Sequence, residues 1–208
     1  TIDYVARQAR LREQAQQAEA DFVVLVPGAN MVYFTGLHVH QSERPTLALV
    51  GAEGGISFIM PKLEASKLDA LNFDPLTVFA WADDEGYAGA FRAATDVLGL
   101  GAARLGVDDH TMRLFEWLAF KAAAPDVQVV PLGEVLLNLR AIKSQAEVEL
   151  IRRAVALSEA ALSQTIDGLR SGATERDIAE TLSAMLQSNG SHGHAFSPLV
   201  LIGANSAL

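Results

Sequence analysis

Residues 46–60 read TLALVGAEGGISFIM, two short apolar runs on either side of a Gly-Ala-Glu-Gly-Gly loop. A loop that short joins only antiparallel neighbours, so this stretch predicts a β-hairpin. The other apolar runs have helix-length segments between them. DFVVLV (21–26) stops at Pro27-Gly28 and suits a buried strand, and LTVFA (76–80), RLGV (104–107) and VQVV (127–130) follow as further strands. MVYFT (31–35), rich in β-formers and stopped by Gly36, predicts one more. Between them, residues 2–20, 61–71, 86–98 and 111–123 read as helices, with Gly99 and Pro125 as stops. Strands alternating with helices, plus one hairpin, predict a mixed α/β sheet of about six strands covered by helices.

After Pro131 the texture changes. Ser144 with Glu147 forms an S-x-x-E capping box that opens a long helix, with Ile151, Val155, Leu162, Ile166 and Leu169 on one face. Thr174 with Asp177 opens a second helix in the same way, carrying Ile178, Leu182 and Met185, and Gly190 fits its stop. A strand is expected over 195–202. A lone strand cannot satisfy its own backbone groups, so the second unit reads as incomplete unless its apolar faces are covered by the first unit or another chain. The sequence thus divides into an α/β domain over 1–133 and an α+β segment over 134–208.

Half of the 208 residues are hydrophobic and a fifth are charged, enough for a sizeable core. A formal net charge of −9 disfavours nucleic acid and anionic membranes as partners. With no cysteine, thiolate catalysis, disulfides and zinc–thiolate sites drop out, and a reducing cytoplasm is the compatible location. No apolar run reaches the roughly 20 residues of a membrane helix.

Five histidines are the first candidates for chemistry. His38 and His40, two apart on an extended segment, point the same way and could clasp a metal or a carboxylate; with no Asp or Glu cluster beside them, spacing alone favours a polar surface loop. His192 and His194 in GSHGHAF are half a metal site at most, and His110 stands beside Asp108 and Asp109. Asp83, Asp84 and Glu85 could do acid–base work, but their place before a helix favours capping. No nucleophile elbow, Walker loop or dinucleotide fingerprint occurs.

The order of several segments carries more. PGANMVYFTGLHVHQSERP (27–45) resembles the P-x-N-x-x-Y-x-T-G stretch of creatinase/prolidase-type proteins. MPKLEASKL (60–68), FAWADDEG (79–86) and RLGVDD (104–109) resemble their P-K-L-E, W-x-D and I-G-V-D segments. LRAIKSQAEVELIRRAVALSEAAL (139–162), SGATERDIAETL (171–182) and FSPLVLIGANSAL (196–208) resemble the start of their catalytic domain. The resemblance to the M24 metallopeptidase family covers nearly the whole chain, with Xaa-Pro dipeptidases and aminopeptidases as nearest kin.

That resemblance implies a creatinase-type N-terminal domain with a mixed sheet, followed by an incomplete α+β pita-bread domain. It implies hydrolysis of X-Pro peptide bonds by a pair of divalent metal ions (Mn, Co or Zn) that generate hydroxide and polarise the carbonyl. The family's five metal ligands lie downstream of G-x-N-S-A, so none is assigned within these 208 residues, and the chain by itself is expected to be inactive. Phe196 matches a residue lining the apolar substrate pocket. The loop 36–44 matches a region that in dimeric members reaches the neighbouring active site, which offers His38, His40 and Arg44 to a substrate carboxylate in trans. The resemblance thus implies a homodimer acting on a proline-containing peptide or small amide. Two other outcomes stay open: a creatinase-like, metal-independent amidohydrolase, or a non-catalytic binding or scaffold relative.

Overall fold

The computed structural model describes residues 2–71 and 73–207. It divides into two compact units, Thr1–Ile142 and Lys143–Leu208. The first holds helix α1 (Tyr4–Gln17), strand β1 (Phe22–Leu25), helix α2 (Ala29–Thr35) and the hairpin β2 (Leu47–Gly51) and β3 (Ile56–Pro61). Then come α3 (Lys62–Ala65) with a 3₁₀ turn, β4 (Leu76–Trp81), α4 (Ala88–Leu98), β5 (Arg104–Val107), α5 (Leu114–Ala123), β6 (Gln128–Pro131) and α6 (Gly133–Ala141).

The six strands form one sheet in the order β4-β3-β2-β1-β5-β6. β2 runs antiparallel to both β1 and β3, while β3/β4, β1/β5 and β5/β6 are parallel. Every strand except β2 therefore ends at the same edge, and β2 begins there. Side-chain alternation sorts the core into two layers. Val23, Leu25, Ala48 and Phe58 pack under α1, α2 and α6 with Leu11, Phe34 and Leu136. Val24, Leu49, Ile59 and Leu105 pack under α4 and α5 with Phe91 and Phe120. The central strands β2 and β3 are buried along their whole length, which is why they read as unbroken apolar runs.

The mixed sheet and the hairpin agree with the sequence. MVYFT does not: it lies within α2. Met31, Phe34 and Thr35 are buried at i, i+3 and i+4, a helical stripe, Thr35 Oγ1 donates to the Met31 carbonyl, and Gly36 closes the helix at φ 75°. Five residues rich in β-formers are too short for periodicity to separate helix from strand. The division between units also falls later than residue 133, because Leu136 and Leu139 of α6 belong to the first unit's core.

The second unit holds α7 (Gln145–Asp167), α8 (Glu175–Ser188) and a 3₁₀ turn at Gly203–Ala207. Both capping boxes form as the sequence predicts: Ser144 Oγ accepts from Glu147 N–H at 3.3 Å and Thr174 Oγ1 from Asp177 N–H at 3.2 Å. The bonds Thr174 returns to the Asp177 carboxylate hold that group below the usual aspartate pKa. Ala161 and Thr165 of α7 are buried, whereas Ile151, Val155, Leu162, Ile166 and Leu169 remain 48–55 % exposed. Residues 195–202 form no strand. The described residues of the second unit form helices only, so the unit itself offers the segment no ladder. Instead the segment is tied to Glu175, at the start of α8, whose carboxylate accepts from Ile202 N–H at 2.7 Å and from Asn205 Nδ2 at 3.1 Å.

Candidate functional site

The edge where five strands end gathers the loops carrying the sequence candidates, as open α/β sheets commonly do. The connection from α2 into β2, residues 36–46, crosses this edge beside the turns that follow β4 and β5. Leu37 is buried and Val39 packs on the core, while His38 and His40 are exposed. The two histidines thus share the outward side of an extended segment, as their spacing predicts.

Four clasps fix the loop. Arg44 donates through Nε and Nη2 to the two carboxylate oxygens of Asp83, both at 2.8 Å. Arg113 Nη1 donates to the Ser42 carbonyl, and Gln41 Nε2 to the Thr111 carbonyl at 3.4 Å. Trp81 Nε1, at the end of β4, donates to the Pro45 carbonyl at 3.4 Å. Arg113 is itself oriented by Glu116, one turn into α5 and fully buried, at 2.5 Å.

Arg44 is therefore occupied within its own chain, and a substrate carboxylate would have to displace Asp83. The acids at 83–85 do not cap α4. That helix starts at Ala88 without a side-chain cap, Asp83 pairs with Arg44, and Glu85 lies 3.5 Å from Lys62. For Asp83 the attraction to a cation from another loop prevails over the adjacent helix terminus, because a bidentate guanidinium contact is the stronger interaction.

The hydrogen bonds from Arg44 hold the Asp83 carboxyl below its ordinary pKa, and Asp83 in turn raises that of Arg44. A depressed folded-state pKa means the contact contributes fully above the unfolded pKa and is lost as pH falls through the folded one. In a carboxyl-carbon NMR titration, Asp83 is expected to titrate below the ordinary aspartate range. Arg44→Ala should return it to that range with little change in melting temperature, since both groups are exposed.

Asp109 turns the other way and accepts from Gly133 N–H at 2.9 Å at the start of α6. The approach is close: a Cβ at 133 would sit 2.8 Å from Asp109 Oδ1 and 3.0 Å from His110 Nδ1, so a larger residue there would push both side chains aside. In the second unit, His192 and His194 are exposed and Phe196 is 81 % exposed, with no apolar wall built around it. Among the described residues no three of His, Cys, Asp and Glu converge to hold a metal ion, so the side chains present do not fit a metal centre. Among the described residues no helix is long and apolar enough to cross a membrane. Sequence reasoning missed Asp83 as the partner of Arg44, Arg113 as an anchor and Glu116 as a buried acid. The R-x-x-E spacing at the head of an apolar helix was the available signal for the last two.

An α/β domain with this strand order, leading into two capped helices, has relatives. Residues 7–142 match the creatinase/prolidase N-terminal domain, and residues 149–208 match metallopeptidase family M24. The chain belongs to the creatinase/prolidase type of the M24 metallopeptidases. It is 28 % identical over 203 residues to a probable dipeptidase, PepE, of Mycobacterium tuberculosis, covering 97 % of this chain and 52 % of that one. It is 23 % identical over 201 residues to an uncharacterized peptidase, YqhT, of Bacillus subtilis, covering 96 % of this chain and 54 % of that one. Among solved structures, a recombinant prolidase from Thermococcus sibiricus superposes with a TM-score of 0.88 at 25 % identity, covering 100 % of this chain and 56 % of that one. The chain spans about half the length of the relatives it matches.

Proposed function

We propose that the chain works as the N-terminal part of a metal-dependent hydrolase of X-Pro dipeptides, in which the first unit serves substrate access and dimerisation. The observation that carries this is the likeness to a prolidase over the whole of this chain, at a TM-score of 0.88. The metal pair (Mn, Co or Zn) would be held by residues outside these 208.

Within this reading the 36–46 loop has a definite task. Clasped at Gln41, Ser42 and Arg44, it presents His38 and His40 as a fixed pair of donors to the carboxylate of a proline-containing peptide bound by the partner in a homodimer. Arg44 acts by holding the loop; contact with substrate would cost it Asp83. Phe196 is the candidate apolar wall for the proline ring once the segment around it is covered. A cytoplasmic location suits a cysteine-free chain.

The test is hydrolysis by the complete gene product after loading with Mn, Co or Zn in turn. Ala-Pro is expected to be cleaved and Ala-Ala to be poor, with activity lost to a chelator; the 208-residue chain should cleave neither. Chelator-insensitive hydrolysis of a small amide would instead favour the creatinase-like chemistry. A complete protein that binds X-Pro peptides without cleaving them would favour the scaffold reading.

A further inference from the structure

Glu116 is a fully buried carboxylate in the first turn of α5, and the proposed reaction makes no direct use of it. Both of its oxygens are engaged by Arg113: Oε2 accepts from the Arg113 backbone N–H at 2.9 Å and Oε1 from Nη2 at 2.5 Å. The guanidinium also lies 4.5 Å from the Phe115 ring centre, so the side chain is held at three points. The element beneath it is firmly seated. Phe120 anchors α5 in the core, and the turn before the helix is closed by the Thr111 and Met112 N–H groups, which both donate to the Asp108 carbonyl.

From that seat Arg113 reaches a residue 71 positions away and donates through Nη1 to the Ser42 carbonyl. Ser42 Oγ in turn accepts from the Arg44 backbone N–H at 3.2 Å, which closes a turn just past His40. The clasps on this loop are unequal. The Arg44–Asp83 pair faces solvent, and exposed pairs contribute little. The bonds from Gln41 and Trp81 are long, at 3.4 Å. Of the four, the Arg113 clasp alone is backed by a fully buried countercharge, where charge-assisted bonds are strongest and a lost partner is most damaging.

We propose that Glu116 and Arg113 are positioning residues that set substrate selectivity, holding the backbone at Ser42 so that His38 and His40 meet a free C-terminal carboxylate. This rests on the reading of the loop given above. Neither residue touches the substrate. Glu116 orients Arg113, Arg113 fixes the Ser42 carbonyl, and the histidines just upstream take their place from it. A shift of about 1 Å at a binding group is enough for a large loss.

The test compares Ala-Pro with its C-terminal amide as substrates of the complete, metal-loaded protein. Arg113→Lys keeps a cation beside Glu116 but lacks the fork that holds Glu116 and Ser42 together. Glu116→Gln keeps the volume and removes the charge that orients Arg113. In both variants KM for Ala-Pro should rise about tenfold while kcat changes less than about twofold, the pattern of lost binding. The preference for Ala-Pro over the amide, as a ratio of kcat/KM values, should fall about tenfold. Neither KM nor that ratio depends on how much of the protein is folded, so a purely structural role, which lowers the active fraction, would move neither. His38→Ala/His40→Ala separates the two levels of the argument. If it loses the preference while Arg113→Lys and Glu116→Gln keep it, the positioning role is overturned and the loop reading stands. If it keeps the preference, the loop reading fails and the positioning role falls with it.

Discussion

Replacing Arg113 by alanine is expected to destabilise the first unit by about 3–5 kcal/mol, the cost of leaving a buried charge without its partner. Glu116 is fully buried, and the Arg113 guanidinium contacts it at 2.5 Å, donates to the Ser42 carbonyl and lies 4.5 Å from the Phe115 ring centre. Arg113→Ala removes all three contacts at once and leaves the buried carboxylate without its cation, with the backbone N–H of residue 113 as its remaining donor. The double variant Arg113→Met/Glu116→Leu replaces the pair with apolar groups of similar volume and should recover most of the loss. Urea unfolding of the three proteins measures both effects, and hydrogen exchange should rise across residues 36–46 in the single variant. A loss below about 1 kcal/mol, typical of an exposed pair, would show that the ion pair is not buried as described.

A comparable effect is expected inside the sheet. Gly106 lies in β5, and a Cβ built there would stand 2.3 Å from Leu132 Cδ1, 3.2 Å from Leu132 Cγ and 3.4 Å from the Ala20 Cβ. Leu132 is 3 % exposed and has nowhere to retreat. Gly106→Val therefore overpacks the layer beneath α6 and should cost about 3 kcal/mol, the upper part of the usual range for inserted core methyls. Leu132→Ala by itself opens a cavity and should cost about 2–5 kcal/mol. Combined, the two changes exchange volume between neighbours, so the double variant should be more stable than the sum of the single losses implies. Thermal or urea unfolding reads this directly. Simple additivity would mean that the two side chains do not share the space.

Much of this architecture was legible because each signal was local. The Gly-rich hairpin, the two capping boxes and the outward pair His38 and His40 each rest on spacing within a few residues. The misread elements rest on partners far along the chain. Residues 31–35 are helical because Met31 and Phe34 reach a core shared with α1 and α6. Residues 195–202 lack a ladder because the described residues of their own unit form helices only. The clasp Arg44–Asp83 spans 39 positions and exists only because the sheet order brings the entry to β2 beside the exit of β4.

The proposed function makes this chain part of a dimeric X-Pro hydrolase in which the clasped loop of one subunit serves the site of the other. Subunit mixing tests it most directly. Complete protein carrying His38→Ala/His40→Ala is combined, through unfolding and refolding, with complete protein whose metal site has been disabled. Each parent alone should be nearly inactive on Ala-Pro. Mixed dimers should regain activity, because one intact loop then faces one intact metal site. Activity that stays at the parental level in verified mixed dimers would contradict the account.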